Sequence, residues 1–311
     1  MRRLLTIVLA CAAVLSASAQ KKEKPATAWK TGGMFSVVGG QSGTRNWAPA
    51  GSEKYSLTAA INLNLWAGKT WGKNSWNNSL DVAYGLINTS SAGIRKINDK
   101  VDFLSKYSYA LKERWGLGAV GNLRTQLTDA FDYTESPRKR ISGFFAPAYL
   151  TFSPFGVQYK TPSNVLSVHV GPAVRWVIVT NKPYSLVNQG GVEPDGSSER
   201  KLAELYGVDP RKKVDFQVGP YLTASFNKEV VKNVTLKSRA DVHMDIADEE
   251  PFSDVDLYLT NSVGMKVNKW LTVSYNLDLY SDNDAKMFGP ERKFARTQIQ
   301  SMLGVGLGVK F

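Results

Sequence analysis

At 311 residues the chain has room for one or two ordinary domains, or for one medium-sized barrel. Mean hydropathy is slightly negative, and past the N-terminus no run of about 18 apolar residues occurs, which excludes membrane helices. The formal charge of +12 is scattered over turn regions such as Arg138-Lys139-Arg140 and Arg211-Lys212-Lys213. No recognition helix or RNA-binding motif accompanies it, so the pattern argues against nucleic acid as a partner and for anionic lipid headgroups.

Residues 1–19 read as a secretory signal. Arg2 and Arg3 form the positive start, Leu4 to Leu15 the apolar stretch, and Ala17-Ser18-Ala19 the cleavage site, leaving Gln20 as the expected mature N-terminus. Losing Arg2 and Arg3 takes the charge from +12 to +10. Cys11, the single cysteine, lies midway through the apolar stretch, where lipoprotein cleavage would leave too short a core. The mature chain is therefore expected to have no disulfide and no thiolate ligand, and no metal or cofactor is expected. Residues 20–28 are charged and unpatterned and read as a periplasmic tail, with the folded part expected over 29–311.

From Trp29 onward, alternation at period two marks successive strands. The first covers about 31–42 and the second about 54–68, with Leu57, Ile61 and Leu63 on one face and Asn62 and Asn64 on the other. The third, about 75–88, turns Trp76, Leu80 and Tyr84 outward and Asp81 inward. The fourth, about 99–112, sets Phe103, Tyr107 and Tyr109 against Asp102 and Lys106. The fifth, about 115–127, sets Trp115 and Leu117 against Asn122, Arg124 and Gln126. The sixth, about 142–160, is interrupted by Pro147 and Pro154. The seventh, about 164–180, points His169 and Arg175 inward, and the eighth, about 212–227, does so with Gln217 and Tyr221. The ninth, about 231–246, opposes Val234, Leu236, Ala240, Val242 and Met244 to Lys237, Arg239, Asp241, His243 and Asp245. The tenth and eleventh, about 253–268 and 270–282, repeat the pattern, with Asp278 inward. The last, about 296–311, alternates Leu303, Val305, Leu307 and Val309 with glycine and ends on Phe311.

A soluble sandwich also alternates, and loop length separates the two. Connections are short around 69–75, 112–114, 160–164, 227–231 and 268–270, and long around 43–53, 88–98, 128–141, 181–211 and 283–293. A sandwich has no reason to sort loops by parity. An all-β, closed antiparallel transmembrane β-barrel of about twelve strands, with short periplasmic turns and long extracellular loops, does. Trp71, Trp76, Trp115, Tyr159, Trp270 and Phe311 gather on the short-turn side as an expected interfacial girdle. The expected location is the outer membrane of a Gram-negative bacterium, among outer-membrane lipids and lipopolysaccharide. The last strand, ending in Phe311, is the expected signal to the barrel-assembly machinery.

Several segments carry a family resemblance. They are Trp29-Lys30-x-Gly32-Gly33-x-Phe35-Ser36, Asn46-Trp47-Ala48 and Trp76-x-Asn78-x-Leu80-Asp81-x-x-Tyr84-Gly85-Leu86. Further on come Ala146-Pro147-Ala148-Tyr149-Leu150-Thr151, Gly207-Val208-Asp209-Pro210 and Leu303-Gly304-Val305-Gly306-Leu307. With them the chain resembles domain of unknown function family 3078, exported proteins typical of Bacteroidota. The family has no assigned activity, so the resemblance implies an exported barrel and carries over no catalytic residue.

Candidate site residues follow from parity. Asp102, Arg124, Arg175, Arg239, Asp241 and Asp278 all point inward at similar distances from the short-turn end. They are expected to form a belt of mixed sign, either a charge-sorting constriction or an ion-pair network that fills the lumen. Pro154, Pro172 and Pro220 mark one region of wall, expected as a row of bulges; a lateral opening there is the bolder reading. His243, between Asp241 and Asp245, is the candidate for a lipid hydrolase, although no nucleophile elbow accompanies it. Residues 199–206 have the pattern of a short helix, plugging the mouth or projecting from it. Three functions remain open: a passive channel or transporter for small solutes or lipids, a non-conducting structural or interaction barrel, and a lipid-modifying enzyme.

Overall fold

The computed structural model describes residues 28–43, 55–132, 139–161, 163–179, 201–209, 211–247, 255–286, 288 and 295–311. The expected signal, the tail up to residue 27, Asn46-Trp47-Ala48 and most of the 181–211 loop lie outside them.

The strands are β1 (Lys30–Gly43), β2 (Tyr55–Trp71), β3 (Asn74–Thr89), β4 (Gly93–Ala110), β5 (Trp115–Thr125), β6 (Ala130–Asp132) and β7 (Lys139–Ser142). They continue with β8 (Ala148–Lys160), β9 (Leu166–Ile178), β10 (Val214–Val231), β11 (Val234–Met244), β12 (Val255–Lys266), β13 (Leu271–Ser281) and β14 (Gln298–Lys310). Among the described residues, twelve close into one barrel in the order β1-β14-β13-β12-β11-β10-β9-β8-β5-β4-β3-β2. Each neighbouring pair is antiparallel, and β6 and β7 form a separate hairpin between β5 and β8. No helix among the described residues is long and apolar enough to cross a membrane.

The pleat sorts side chains between the two sides of the wall. Outward rows are large, apolar and exposed: Leu57, Leu117, Phe152, Leu303 and Leu307. Inward rows are polar and buried: Asp102 is 3% exposed, Gln158 1%, His169 0% and Asp241 4%. This inverts a water-soluble protein, where burying such groups without apolar cover outside would be unfavourable.

Strand boundaries depart from the periodicity in several places; the connection expected around 69–75, for one, contracts to residues 72–73. The expected sixth strand splits, because Pro147 has no N–H for a ladder. Residues 139–142 instead fold back on 130–132, and the barrel strand starts at Ala148. The connection expected around 88–98 shrinks to residues 90–92, since Gly93, Ile94 and Arg95 continue β4 opposite Thr89, Asn88 and Ile87. The β10–β11 turn contracts to Lys232-Asn233, with Asn233 at φ 67°, a value asparagine tolerates in tight hairpins.

The proline region contains one bulge rather than a row. Pairing shifts at Pro154, where Pro154 and Phe155 both face outward. Pro172 and Pro220 lie directly opposite each other in an unbroken β9–β10 ladder. Neither can donate, so theirs is a non-hydrogen-bonded pair, and each donor-less nitrogen faces its other neighbour. Those neighbours are where pairing lapses: β8–β9 has no partners for residues 171–173, and the β10–β11 ladder begins only at Tyr221.

Closure occurs at the C-terminus. Gly33 N donates to Phe311 O at 2.9 Å, and Phe311 N to Gly33 O at 3.1 Å. A Cβ at Gly33 would stand 2.6 Å from the Phe311 ring, so glycine there lets the terminal ring lie against β1. The expected girdle gathers at this rim: Trp115 stacks edge-on with Tyr159 at 5.1 Å, and Trp71 lies 6.4 Å from Tyr107. Trp29 joins it at 5.4 Å from Trp76, while Trp270 and Phe311 are exposed.

Candidate functional site: a charged partition across the lumen

Four of the six expected belt residues meet in the middle of the barrel. Asp102 (β4) accepts from Arg124 Nε (β5) at 3.3 Å and pairs with Arg239 (β11) at 3.2 Å. Asp241 (β11) pairs with Arg239 at 2.6 Å and with Arg124 across the lumen. Asn122 donates to Asp102 at 2.7 Å and the Tyr221 hydroxyl to Asp241 at 2.7 Å, so both carboxylates are fully engaged. The Arg124 guanidinium also lies 3.9 Å from the Tyr258 ring centre. The quartet is neutral as a whole, as buried charges generally must be.

Asp278 joins through a residue the parity reading did not single out: Lys100 Nζ lies 2.8 Å from it. Lys100 shares the inward parity of Asp102, which was the available signal. Arg175 stands apart. It pairs with Asp256 and donates to Gln217 at 2.8 Å, nearer the long-loop mouth. Counting residues up each strand ignored the stagger between strands: through Thr223, it is His169 and not Arg175 that shares a row with Asp241.

Above Arg175 an apolar plug covers this side. Leu202–Tyr206 forms a 3₁₀ turn whose Leu202, Ala203 and Leu205 are fully buried against Ala146, Val177, Val179 and Ala285. The turn expected near 199–206 thus folds inward. Tyr206 donates to Ile141 O at 2.7 Å, and burial pushes its phenol pKa up. Just beyond, the Arg211 side chain hydrogen-bonds Asp209 and lowers its carboxyl from the ordinary 3.8 to about 2.

Below the quartet, Lys106 donates to Ser167 at 2.6 Å and Lys160 to Ser75 at 2.9 Å. Ser153 Oγ lies 2.9 Å from His169 Nε2, and Gln158 Nε2 lies 3.2 Å from His169 Nδ1. This serine–histidine–amide contact is not legible in the sequence, since the bulge at Pro154 is what puts Ser153 and Gln158, which have opposite parity, on the same side of the wall. Ser153 and His169 are both 0% exposed, enclosed in the packing of the inner wall. His243, the sequence candidate, has no hydrogen-bond partner on either ring nitrogen among the described residues.

A closed antiparallel barrel with lipid-compatible outer rows and an ion-paired interior is the architecture of transmembrane β-barrels of the outer-membrane kind. The model of the family described as Protein of unknown function (DUF3078) matches residues 40–131, bearing out the resemblance read from the sequence over that stretch. No curated protein matches the chain. Among solved structures, it is similar to the translocator domain of the autotransporter NalP from Neisseria meningitidis, at 9% identity and TM-score 0.36, covering 100% of this chain and 96% of that one. It is also similar to the NanC porin (9%, TM-score 0.35, 88% and 98%) and the CymD monoaromatic hydrocarbon channel (12%, TM-score 0.32, 91% and 88%).

Proposed function

We propose that the chain is a non-conducting barrel of a Gram-negative outer membrane, exported by residues 1–19 and embedded through its apolar outer rows. Its short-turn rim faces the periplasm, with the aromatic girdle at the lipid interface, and its outer surface meets phospholipid and lipopolysaccharide. The strand ending in Phe311 is the end offered to the assembly machinery. The observation that carries the non-conducting reading is the pair of lumen-crossing contacts, Arg124 with Asp241 and Arg239 with Asp102. Parting such a pair separates buried charges from their counter-ions, so an ion passing the quartet meets a barrier that an open porin does not have. An open passive channel would need the quartet to part.

Planar-bilayer recording of the refolded protein tests this, with insertion checked by heat-shifted gel mobility. The expected trace is silent. Discrete conductance steps whose ion selectivity changes in Arg239→Ala would overturn the reading and restore the channel.

A further inference from the structure

The ladder that closes the barrel is incomplete. β1 and β14 pair only from Met34 opposite Lys310 to Val38 opposite Gly306. Yet β1 pairs with β2 as far as Gly43, and β14 pairs with β13 as far as Gln298. Among the described residues, the facing edges of 39–43 and 298–305 have no ladder partner. At bilayer depth such an edge is not left bare, because hydrocarbon supplies no hydrogen bonds.

A cavity of about 200 Å³ lies at this lapse. It is lined from both sides of the wall. Gly39 and Leu303 belong to the outward rows, whereas Val38, Gly40 and Gly304 belong to the inward rows. Its inner end is polar and uncharged, formed by Asn62, Ser274 and Asn276. Contacts cross the lumen on either side of it. Asn64, the next inward residue below Asn62, accepts from Lys237 at 2.8 Å. Gln300, the next inward residue above Met302, donates to Ile97 O at 2.7 Å. On the opposite wall the inward residues Gln158, His169 and Thr223 are packed solid. Beside the seam, by contrast, the inner wall borders open space, and that space reaches residues of the outward rows.

We propose that the β1–β14 seam is a lateral binding site for a single-chain amphiphile with an uncharged, hydrogen-bonding head. The chain lies between Gly39 and Leu303 on the lipid side, and the head reaches Asn62, Ser274 and Asn276. The volume is about that of seven waters at ~30 Å³ each. That admits one head and the start of one chain, not the paired chains of a phospholipid. No lining side chain is charged, so an ionic head would enter without a counter-charge. Head hydroxyls supply the hydrogen bonds that the two strand edges lack. The proposal rests on the barrel's residence in a membrane.

The test uses the full chain refolded into phosphatidylcholine vesicles that contain a photoactivatable monoacylglycerol, with labelled peptides mapped by mass spectrometry. Labelling is expected to concentrate on peptides holding Gly39-Gly40 and Met302-Leu303-Gly304, to saturate, and to be competed by unlabelled monoacylglycerol. It is expected to be lost in Gly40→Phe. A Cβ at Gly40 meets nothing within 4 Å, so a side chain added there starts in open space at the lining of the cavity. Should Gly40→Phe misfold, the competition on the unaltered chain decides alone. Labelling spread evenly around the wall, uncompeted, or unchanged in a folded Gly40→Phe overturns the site. So does equal labelling by a photoactivatable lysophosphatidic acid, or a Gly39→Cys crosslink to a second copy of the chain. A chain that neither floats with the vesicles nor shifts on heating overturns the membrane reading itself, which keeps the two failures apart.

Discussion

Arg124 on β5 and Asp241 on β11 meet across the barrel, with β8, β9 and β10 between them on the nearer side. Such a contact spans the lumen rather than lining it, and it holds opposite walls together. With Arg239 and Asp102 it makes the interior a cross-braced solid at mid-height. That places the most costly charges of the chain where each has a counter-ion.

Removing one member should therefore cost more than removing a pair. Arg239→Ala leaves Asp102 and Asp241 sharing one guanidinium and is expected to destabilise by about 3–5 kcal/mol. A double change, Arg239→Leu with Asp102→Leu, leaves Arg124 with Asp241 and is expected to cost less than Arg239→Ala alone. Guanidinium midpoints of unfolding in detergent measure both. Equal or greater loss in the double variant would mean that the quartet does not act as a unit.

Gly33 and Phe311 form the closing contact, and enlarging one should be felt through the other. Gly33→Val is expected to cost about 1–3 kcal/mol by overpacking against the Phe311 ring. Phe311→Ala should relieve part of that loss. A double-mutant cycle on refolding yield and stability checks the coupling, and additive effects would dissociate the two residues.

The prolines of the outer wall should be nearly dispensable. Pro172→Ala and Pro220→Ala remove no ladder bond and are expected to cost about 0.4–1 kcal/mol each, through the freer unfolded chain. Ala173→Pro, one position along β9, deletes a donor to β10 and should cost clearly more than either alanine change. Unfolding midpoints of the three variants would separate these outcomes.

On the proposed non-conducting reading, the plug and the quartet obstruct the lumen in series. Leu205→Ala is expected to cost about 2–5 kcal/mol of local stability and to expose the turn to protease. The bilayer trace should stay silent, because the charged partition below is intact. Current through folded Leu205→Ala would make the plug the true barrier.

Acid should loosen the anchor of that plug. The Asp209 carboxyl, held at about 2 by Arg211 against an ordinary 3.8, favours the folded loop above pH 3.8. That contribution is lost as pH falls from about 4 through about 2. Because the pair is exposed, the effect should be small and weakened by salt. Protease nicking near residues 207–211 should rise over this window in the natural chain and be independent of pH in Asp209→Asn.

Much of the architecture is legible in the sequence. Alternation puts Asp102 on one face of its strand, and likewise Arg124, Arg239 and Asp241, and the structure turns all four inward, because the pleat allows only two directions. Arg175 was placed in the wrong layer because the stagger between neighbouring strands leaves no trace in residue counts. The row of bulges was also misread. Three prolines at similar heights look alike in sequence, yet two of them fit a continuous ladder by facing each other at a non-hydrogen-bonded position.

The sequence by itself determined the alternating faces, the polarity of the interior and the aromatic rim, because each follows from local period and composition. Only the tertiary structure decided which charges touch, that the turn at Leu202–Tyr206 folds inward, and that Ser153 meets His169. It also decided that the first and last strands part after Val38 and Gly306. These depend on register between strands far apart in the chain, and register is fixed only when the ring closes and every inward side chain must share one lumen.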